Sequence, residues 1–214
     1  MNSIESYVET YGVLPVINIT DANKAVLLAQ ALTDGGLPLI EVTLRSDCSL
    51  EAIRRIKQAF PDMLVGAGTV VSEKSVDDAL SVGADYVVSP GYDPELVNFC
   101  KQKGVVIVPG CFTPSEIQIA VKNGLRILKF FPAELGGGVA AIKLLSGPFP
   151  DVRFLPTGGI TFENLSAYLE NNKVIACGGS FMATAEMFRQ GDFEGITKLC
   201  IKASEIAKNA RKAK

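Results

Sequence analysis

Apolar and polar positions along this chain keep two alternating rhythms. Short β-branched apolar runs are followed by stretches in which apolar residues recur every three or four positions, and the pair repeats at a spacing of roughly 20–25 residues. The opening stretch, Ser3 to Tyr11, predicts a short amphipathic helix ended by Gly12. Strands are predicted at Val13–Ile19, Leu37–Thr43, Met63–Gly66, Asp85–Val88, Val105–Val108, within Arg126–Pro132, and at Val152–Leu155 and Val174–Cys177. Helices are predicted over Ala22–Thr33 (capped by Asp21), Ser49–Ala59, Glu73–Ser81, Pro94–Lys101, Pro114–Lys122, Gly136–Leu145, Phe162–Leu169, Ala183–Phe188 and Phe193–Lys208. Glycines fall after helices and before strands, where a left-handed cap is needed.

Eight strand–helix units without a break in composition predict an α/β fold, a (β/α)8 TIM barrel with a short N-terminal helix. Residues 1–12 form the helix, 13–191 the barrel, and 192–214 a closing helix with a basic tail, in one domain of 1–214. An open doubly wound sheet usually has fewer strands at this length. In a barrel, chemistry gathers where the strands end.

Two strands carry a charge in their interiors. In Arg126-Ile-Leu-Lys-Phe-Phe-Pro132, Lys129 shares a face with Ile127 and Phe131. In Leu39-Ile-Glu-Val-Thr-Leu-Arg45, Glu41 shares a face with Leu39 and Thr43. Either could be ordinary: a lysine on an edge strand, or two charges in a structural ion pair. An amine deprived of water, however, disfavours its charged form and turns nucleophilic toward carbonyls. Two opposite charges in one small barrel interior point to a working pair. Small residues end the next strands, Val65-Gly-Ala-Gly-Thr69, Ser89-Pro-Gly91 and Pro109-Gly110, and leave room over the mouth. The seventh strand ends Pro156-Thr-Gly-Gly159 and the eighth Gly178-Gly-Ser180, each before a short helix. Paired glycine turns there predict a site for a phosphate-bearing ligand.

Composition narrows the chemistry. The chain has no histidine, which rules out Ser-His or Cys-His nucleophile pairs, a histidine base and any histidine-ligated metal. Its five cysteines are scattered without a CxxC pair, and reduced thiols are expected. With 21 basic against 23 acidic residues there is no basic stripe for nucleic acid. No apolar run approaches the roughly 20 residues of a membrane span. The N-terminus lacks a signal pattern, so a cytoplasmic protein is expected.

Glu41-Val-Thr-Leu-Arg45, Val65-Gly-Ala-Gly-Thr-Val70, Ser89-Pro-Gly91, Lys129-Phe-Phe-Pro-Ala-Glu134 and Pro156-Thr-Gly-Gly159 together resemble the 2-keto-3-deoxy-6-phosphogluconate (KDPG) and 4-hydroxy-2-oxoglutarate (KHG) aldolase family, over about Val13 to Gly191. The resemblance implies a class I aldolase that releases pyruvate and glyceraldehyde 3-phosphate, with no metal and no organic cofactor. It implies Lys129 as the Schiff-base lysine and Glu41 as general acid/base. Arg45 and Thr69 would hold the pyruvyl carboxylate, Pro90 and Phe131 form apolar walls, and Thr157 place a hydroxyl beside the pyruvyl group. Gly158, Gly159, Gly179 and Ser180 would form the phosphate pocket. It further implies a small-molecule substrate, no nucleic-acid or membrane partner, and a homotrimer. An aldolase for the phosphogalactonate epimer, a phosphosugar isomerase or epimerase, and a non-catalytic phosphosugar-binding barrel are the alternatives.

Overall fold

A computed structural model describes residues 4–212; the predicted helix start at Ser3 and the tail residue Lys214 lie outside them. The chain runs α1 (Ile4–Tyr11), β1 (Val13–Ile17), α2 (Ala25–Asp34), β2 (Leu39–Thr43), α3 (Ser49–Ala59), β3 (Leu64–Gly68), α4 (Glu73–Ser81), β4 (Tyr86–Ser89) and α5 (Pro94–Lys103). It continues with β5 (Val106–Cys111), α6 (Pro114–Lys122), β6 (Ile127–Phe130), α7 (Gly138–Ser146), β7 (Arg153–Pro156), α8 (Leu165–Leu169), β8 (Cys177–Gly179), α9 (Ala185–Gln190) and α10 (Phe193–Lys212). The eight strands are parallel, each beside its sequence neighbour, and β1 pairs with β8. Single bridges Phe154↔Val174 and Thr157↔Gly178 join β7 to the β8 segment, so the sheet closes into the predicted barrel.

Local chemistry sets the helix boundaries. Asp93 accepts the Glu95 N–H before Pro94 starts α5, and Thr113 and Glu116 form a reciprocal capping box on α6. Gly104 and Gly191, at φ 68° and 76°, end α5 and α9 in the left-handed conformation. Strand periodicity then divides the core. Val87 and Ile107 join the apolar layer under the helices, whereas Tyr86, Val88 and Val108 form a second cluster inside the barrel. The Tyr86 ring fills the space that a side chain at Gly66 would need, and its hydroxyl donates to the Ile40 oxygen at 3.2 Å. Arg153 pairs with Glu5 and Glu9, tying α1 to β7.

The main departures from the predicted elements are at the barrel seam. The eighth strand is Cys177–Gly179 rather than Val174–Cys177, because β1 pairs with it in register Val13↔Cys177, Leu14↔Gly178, Pro15↔Gly179. Pairing to a neighbour overrides the poor strand propensity of glycine. Helix α8 starts at Leu165 rather than Phe162, the preceding residues forming a turn in which Asn164 accepts the Thr161 N–H. Helix α7 starts at Gly138, after Gly137 with φ 94°. Residues Ala22–Lys24 form a 3-10 turn ahead of α2. Among the described residues no helix is long and apolar enough to cross a membrane.

Helix α10 closes the shell against α2 and α8. The α2–α10 contact is tightest at Gly35, where an added Cβ would lie 2.3 Å from the Cys200 Cβ. Gly35→Ala is therefore expected to destabilise the chain by about 1–3 kcal/mol, read as a lowered urea midpoint.

Candidate active site

The alternation that builds the barrel also places its charges. On β6, Leu128 and Phe130 pack outward under the helices, so Lys129 turns inward, and it is 6% exposed. On β2, Ile40 and Val42 pack outward and Glu41 turns inward, fully buried. The Lys129 Nζ donates to Glu41 Oε1 at 3.3 Å. The second oxygen, Oε2, is buried without a hydrogen-bond partner among the described residues.

Glycines on the neighbouring strand or its end make room for side chains and backbone of the mouth. A Cβ at Gly68 would lie 2.2 Å from Glu41 Oε1, one at Gly110 2.0 Å from the Pro90 oxygen, and one at Gly178 2.5 Å from Thr157 Oγ1. A Cβ at Gly158 would lie 3.2 Å from the Phe131 ring. The small residues noted in the sequence thus give space inside the wall as well as over the mouth. Thr69, which follows Gly68, has φ 61°, the one positive value at a non-glycine among the described residues. Such a conformation costs on the order of 1–3 kcal/mol and persists where surrounding structure enforces it, often at working sites.

All eleven residues picked out in the sequence meet at one cavity of about 220 Å³ at the C-terminal ends of the strands: Lys129, Glu41, Arg45, Thr69, Pro90, Phe131, Thr157, Gly158, Gly159, Gly179 and Ser180. Val16, Thr43 and Ile160 also line it and were not assigned. Thr43 could have been found, since it shares the inward face of Glu41; its hydroxyl accepts from Arg45 Nε at 3.2 Å. Val16 and Ile160 are ordinary apolar residues and carry no signal of their own. The lining holds two basic side chains, Lys129 and Arg45, against one acidic, Glu41, a formal excess of positive charge that suits an anionic ligand. The Lys129 Nζ also lies 5.4 Å from the Phe131 ring centroid.

The predicted helix N-termini do not reach the cavity. Helices α8 and α9 begin at Leu165 and Ala185, so what lines it is the turn Gly158–Ile160 and the Gly179–Ser180 segment. Gly158 and Gly159, at φ 95° and 84°, adopt the left-handed backbone that glycine permits. A second cavity of about 280 Å³ opens where the strands begin, between α1 and the interior cluster of Tyr86, Val88 and Val108. Its walls are mainly apolar, with Glu5 and Arg126 as the charged residues of its lining.

Three of the five thiols are poor nucleophiles. Burial pushes Cys100 up to about 11 and Cys111 and Cys200 up to about 12, with Glu116 adding to the effect at Cys111. At neutral pH all three are therefore protonated. Among the described residues no group of three or more His, Cys, Asp or Glu could hold a metal ion.

Comparison with known proteins gives one consistent result. A family model described as KDPG and KHG aldolase matches residues 4–199. The 2-dehydro-3-deoxy-phosphogluconate aldolase of Treponema pallidum (strain Nichols) is 42% identical over 206 residues, covering 96% of this chain and 98% of that one. The KHG/KDPG aldolase of Escherichia coli (strain K12) is 41% identical over 206 residues, 96% and 97% of the two chains. A crystal structure of KDPG aldolase from Legionella pneumophila, with pyruvate captured at low pH as a covalent carbinolamine intermediate, superposes with a TM-score of 0.91 at 35% identity. It covers 95% of this chain and 99% of that one.

Three outcomes test this geometry. Gly68→Ala is expected to force Glu41 off Lys129 and lower stability by about 2–4 kcal/mol in a urea titration. Gly91→Ala, where an added Cβ meets nothing within 4 Å, should stay within about 0.5 kcal/mol of the parent. Iodoacetamide at about pH 8 should alkylate the half-buried Cys48 first, and Cys100, Cys111 and Cys200 only on unfolding, as read by peptide mass mapping.

Proposed function

The chain belongs to the KDPG and KHG aldolase family, and we propose that Lys129 is the amine through which it works. The enzyme cleaves 2-keto-3-deoxy-6-phosphogluconate to pyruvate and glyceraldehyde 3-phosphate, and 4-hydroxy-2-oxoglutarate to pyruvate and glyoxylate. The observation that carries this reading is the buried Lys129–Glu41 pair at the floor of a cavity with net positive lining.

The Lys129 Nζ attacks the C2 ketone and forms a carbinolamine, whose hydroxyl leaves as water to give a protonated imine. The C3–C4 bond then breaks as the C4 hydroxyl loses its proton; its electrons pass into the imine, leaving an enamine, and the aldehyde departs. The enamine takes a proton at C3, and water hydrolyses the resulting imine to pyruvate and free Lys129. Glu41, 3.3 Å from the amine, handles the protons. Its unbonded Oε2 supports that role. The sequence balances without a metal or an organic cofactor.

The remaining lining fits the ends of the substrate. Arg45 and Thr69 take the pyruvyl carboxylate, the guanidinium offering a planar fork to the anion. Pro90 and Phe131 flank the chain of carbons, and Thr157 places its hydroxyl beside the pyruvyl group. Gly158, Gly159, Gly179 and Ser180 receive the phosphate, where side-chain-free backbone lets an anion approach closely. A cytoplasmic homotrimer is part of the same proposal. Phe112 and Leu135 are 42% and 88% exposed, and Gly136 beside Leu135 lies against the Phe112 ring, so together they offer apolar surface that a contact between copies would cover.

Borohydride reduction in the presence of pyruvate, followed by peptide mass mapping, tests the mechanism. The expected result is a stable adduct on Lys129 that is absent from Lys129→Ala. No adduct on any lysine would remove imine chemistry and leave Lys129 and Glu41 as a structural ion pair in a binding barrel.

A further inference from the structure

The turn after β7 is held from outside the cavity it lines. The Gly158 oxygen accepts the Glu134 N–H at 3.1 Å, and the Gly159 oxygen accepts Asn164 Nδ2 at 2.9 Å. Asn164 is itself oriented, because its Oδ1 accepts the Thr161 N–H at 2.8 Å. The Glu134 stem fills the space of a side chain at Gly159, where a Cβ would lie 2.5 Å from Glu134 Cγ. The fully buried Tyr168 in turn donates its hydroxyl to Glu134 Oε1. Burial, and then the Glu134 carboxylate, push the Tyr168 phenol above its ordinary value, so it remains the donor at any working pH. Asn164, Glu134 and Tyr168 do not line the cavity.

Carbonyl oxygens repel a phosphate, and N–H groups and bare CH2 attract or admit it. Here both carbonyls of the glycine pair are engaged by protein donors on the outer side of the turn. We propose that Asn164 is a positioning residue for the phosphate end of the substrate, holding the Gly159 carbonyl away from the anion while Glu134, braced by Tyr168, supports the turn from behind. The inference rests on the aldolase reading and deepens it, since it names what sets the preference for a phosphorylated over an unphosphorylated 2-keto-3-deoxy acid.

Asn164→Asp is the discriminating variant. It keeps the oxygen that accepts from Thr161 and replaces the amide donor with an oxygen that repels the Gly159 carbonyl. Steady-state kinetics with 2-keto-3-deoxy-6-phosphogluconate should show KM raised about tenfold with kcat within about twofold, as expected for a lost ground-state contact. KM for the unphosphorylated 2-keto-3-deoxygluconate should not move. Tyr168→Phe should shift the same ratio in the same direction by a smaller factor, and serves if Asn164→Asp folds poorly. Inorganic phosphate titrated by calorimetry into parent and variant gives the comparison without turnover, and weaker binding by the variant is expected. Equal losses on both substrates, or unchanged phosphate affinity, would overturn the assignment. A parent chain that binds phosphate but forms no pyruvate adduct would instead overturn the aldolase reading while leaving the role of Asn164 open to the calorimetric comparison alone.

Discussion

The ion pair between Lys129 and Glu41 is the constraint on which the rest of this barrel depends. Two charges removed from water are tolerated only when each has the other and the geometry is good. The pair is 3.3 Å apart, with Glu41 fully buried and Lys129 nearly so. It requires β2 and β6 to turn these residues inward across the barrel, and it requires Gly68 to leave the carboxylate its space. The apolar cluster of Tyr86, Val88 and Val108 lies in the barrel below, between the pair and the cavity at the start of the strands. Replacing this pair with packed apolar residues would often stabilise a protein. Its presence is better explained by chemistry than by folding.

Above that floor the site is graded from reactive to receptive. Deep in the barrel stand the amine and the carboxylate, followed by the hydroxyls of Thr43 and Thr157 and the guanidinium of Arg45. At the rim on the β7–β8 side stand the Gly158–Gly159 backbone, the apolar Ile160 and the Gly179–Ser180 segment. In the proposed mechanism, side chains with rigid strand support would act at the bond that breaks, and glycine backbone would act where a bulky anion must be admitted and released. Arg45 sits just past the end of β2 and links the two levels through its hydrogen bond to Thr43.

Much of this could be read from the residues because one rule, period two in a strand, governs both fold and site. That rule puts Lys129 on one face with Ile127 and Phe131, and Glu41 on one face with Leu39 and Thr43, and the repeating strand–helix pattern gives the barrel into which those faces turn. The eighth strand was placed too early because its position is decided by hydrogen bonds to β1, a partner far away in sequence, and Gly178 and Gly179 have no strand propensity to announce it. The start of α8 was placed too early for a related reason. Asn164 looks like any polar residue near a helix end, and its bonds to Thr161 and the Gly159 oxygen become visible only in three dimensions. Val16 and Ile160 escaped notice because an apolar side chain lining a cavity has the same signature as one lining the core.

The pairing of mouth residues with glycines on the adjacent strand has an evolutionary consequence. The side chains of Glu41 and Thr157 occupy volume conceded by the neighbouring strand, at Gly68 and Gly178, while Gly110 concedes space to the Pro90 backbone oxygen. A larger side chain can enter at Gly68 or Gly178 only if its partner shrinks at the same time, and at Gly110 only if the backbone itself moves. Such sites are epistatic, and single substitutions in the wall are filtered out before any new activity can be tested. Change on this scaffold is thereby channelled to positions without a reciprocal partner, such as Gly91 next to the lining residue Pro90, where an added methyl meets open space.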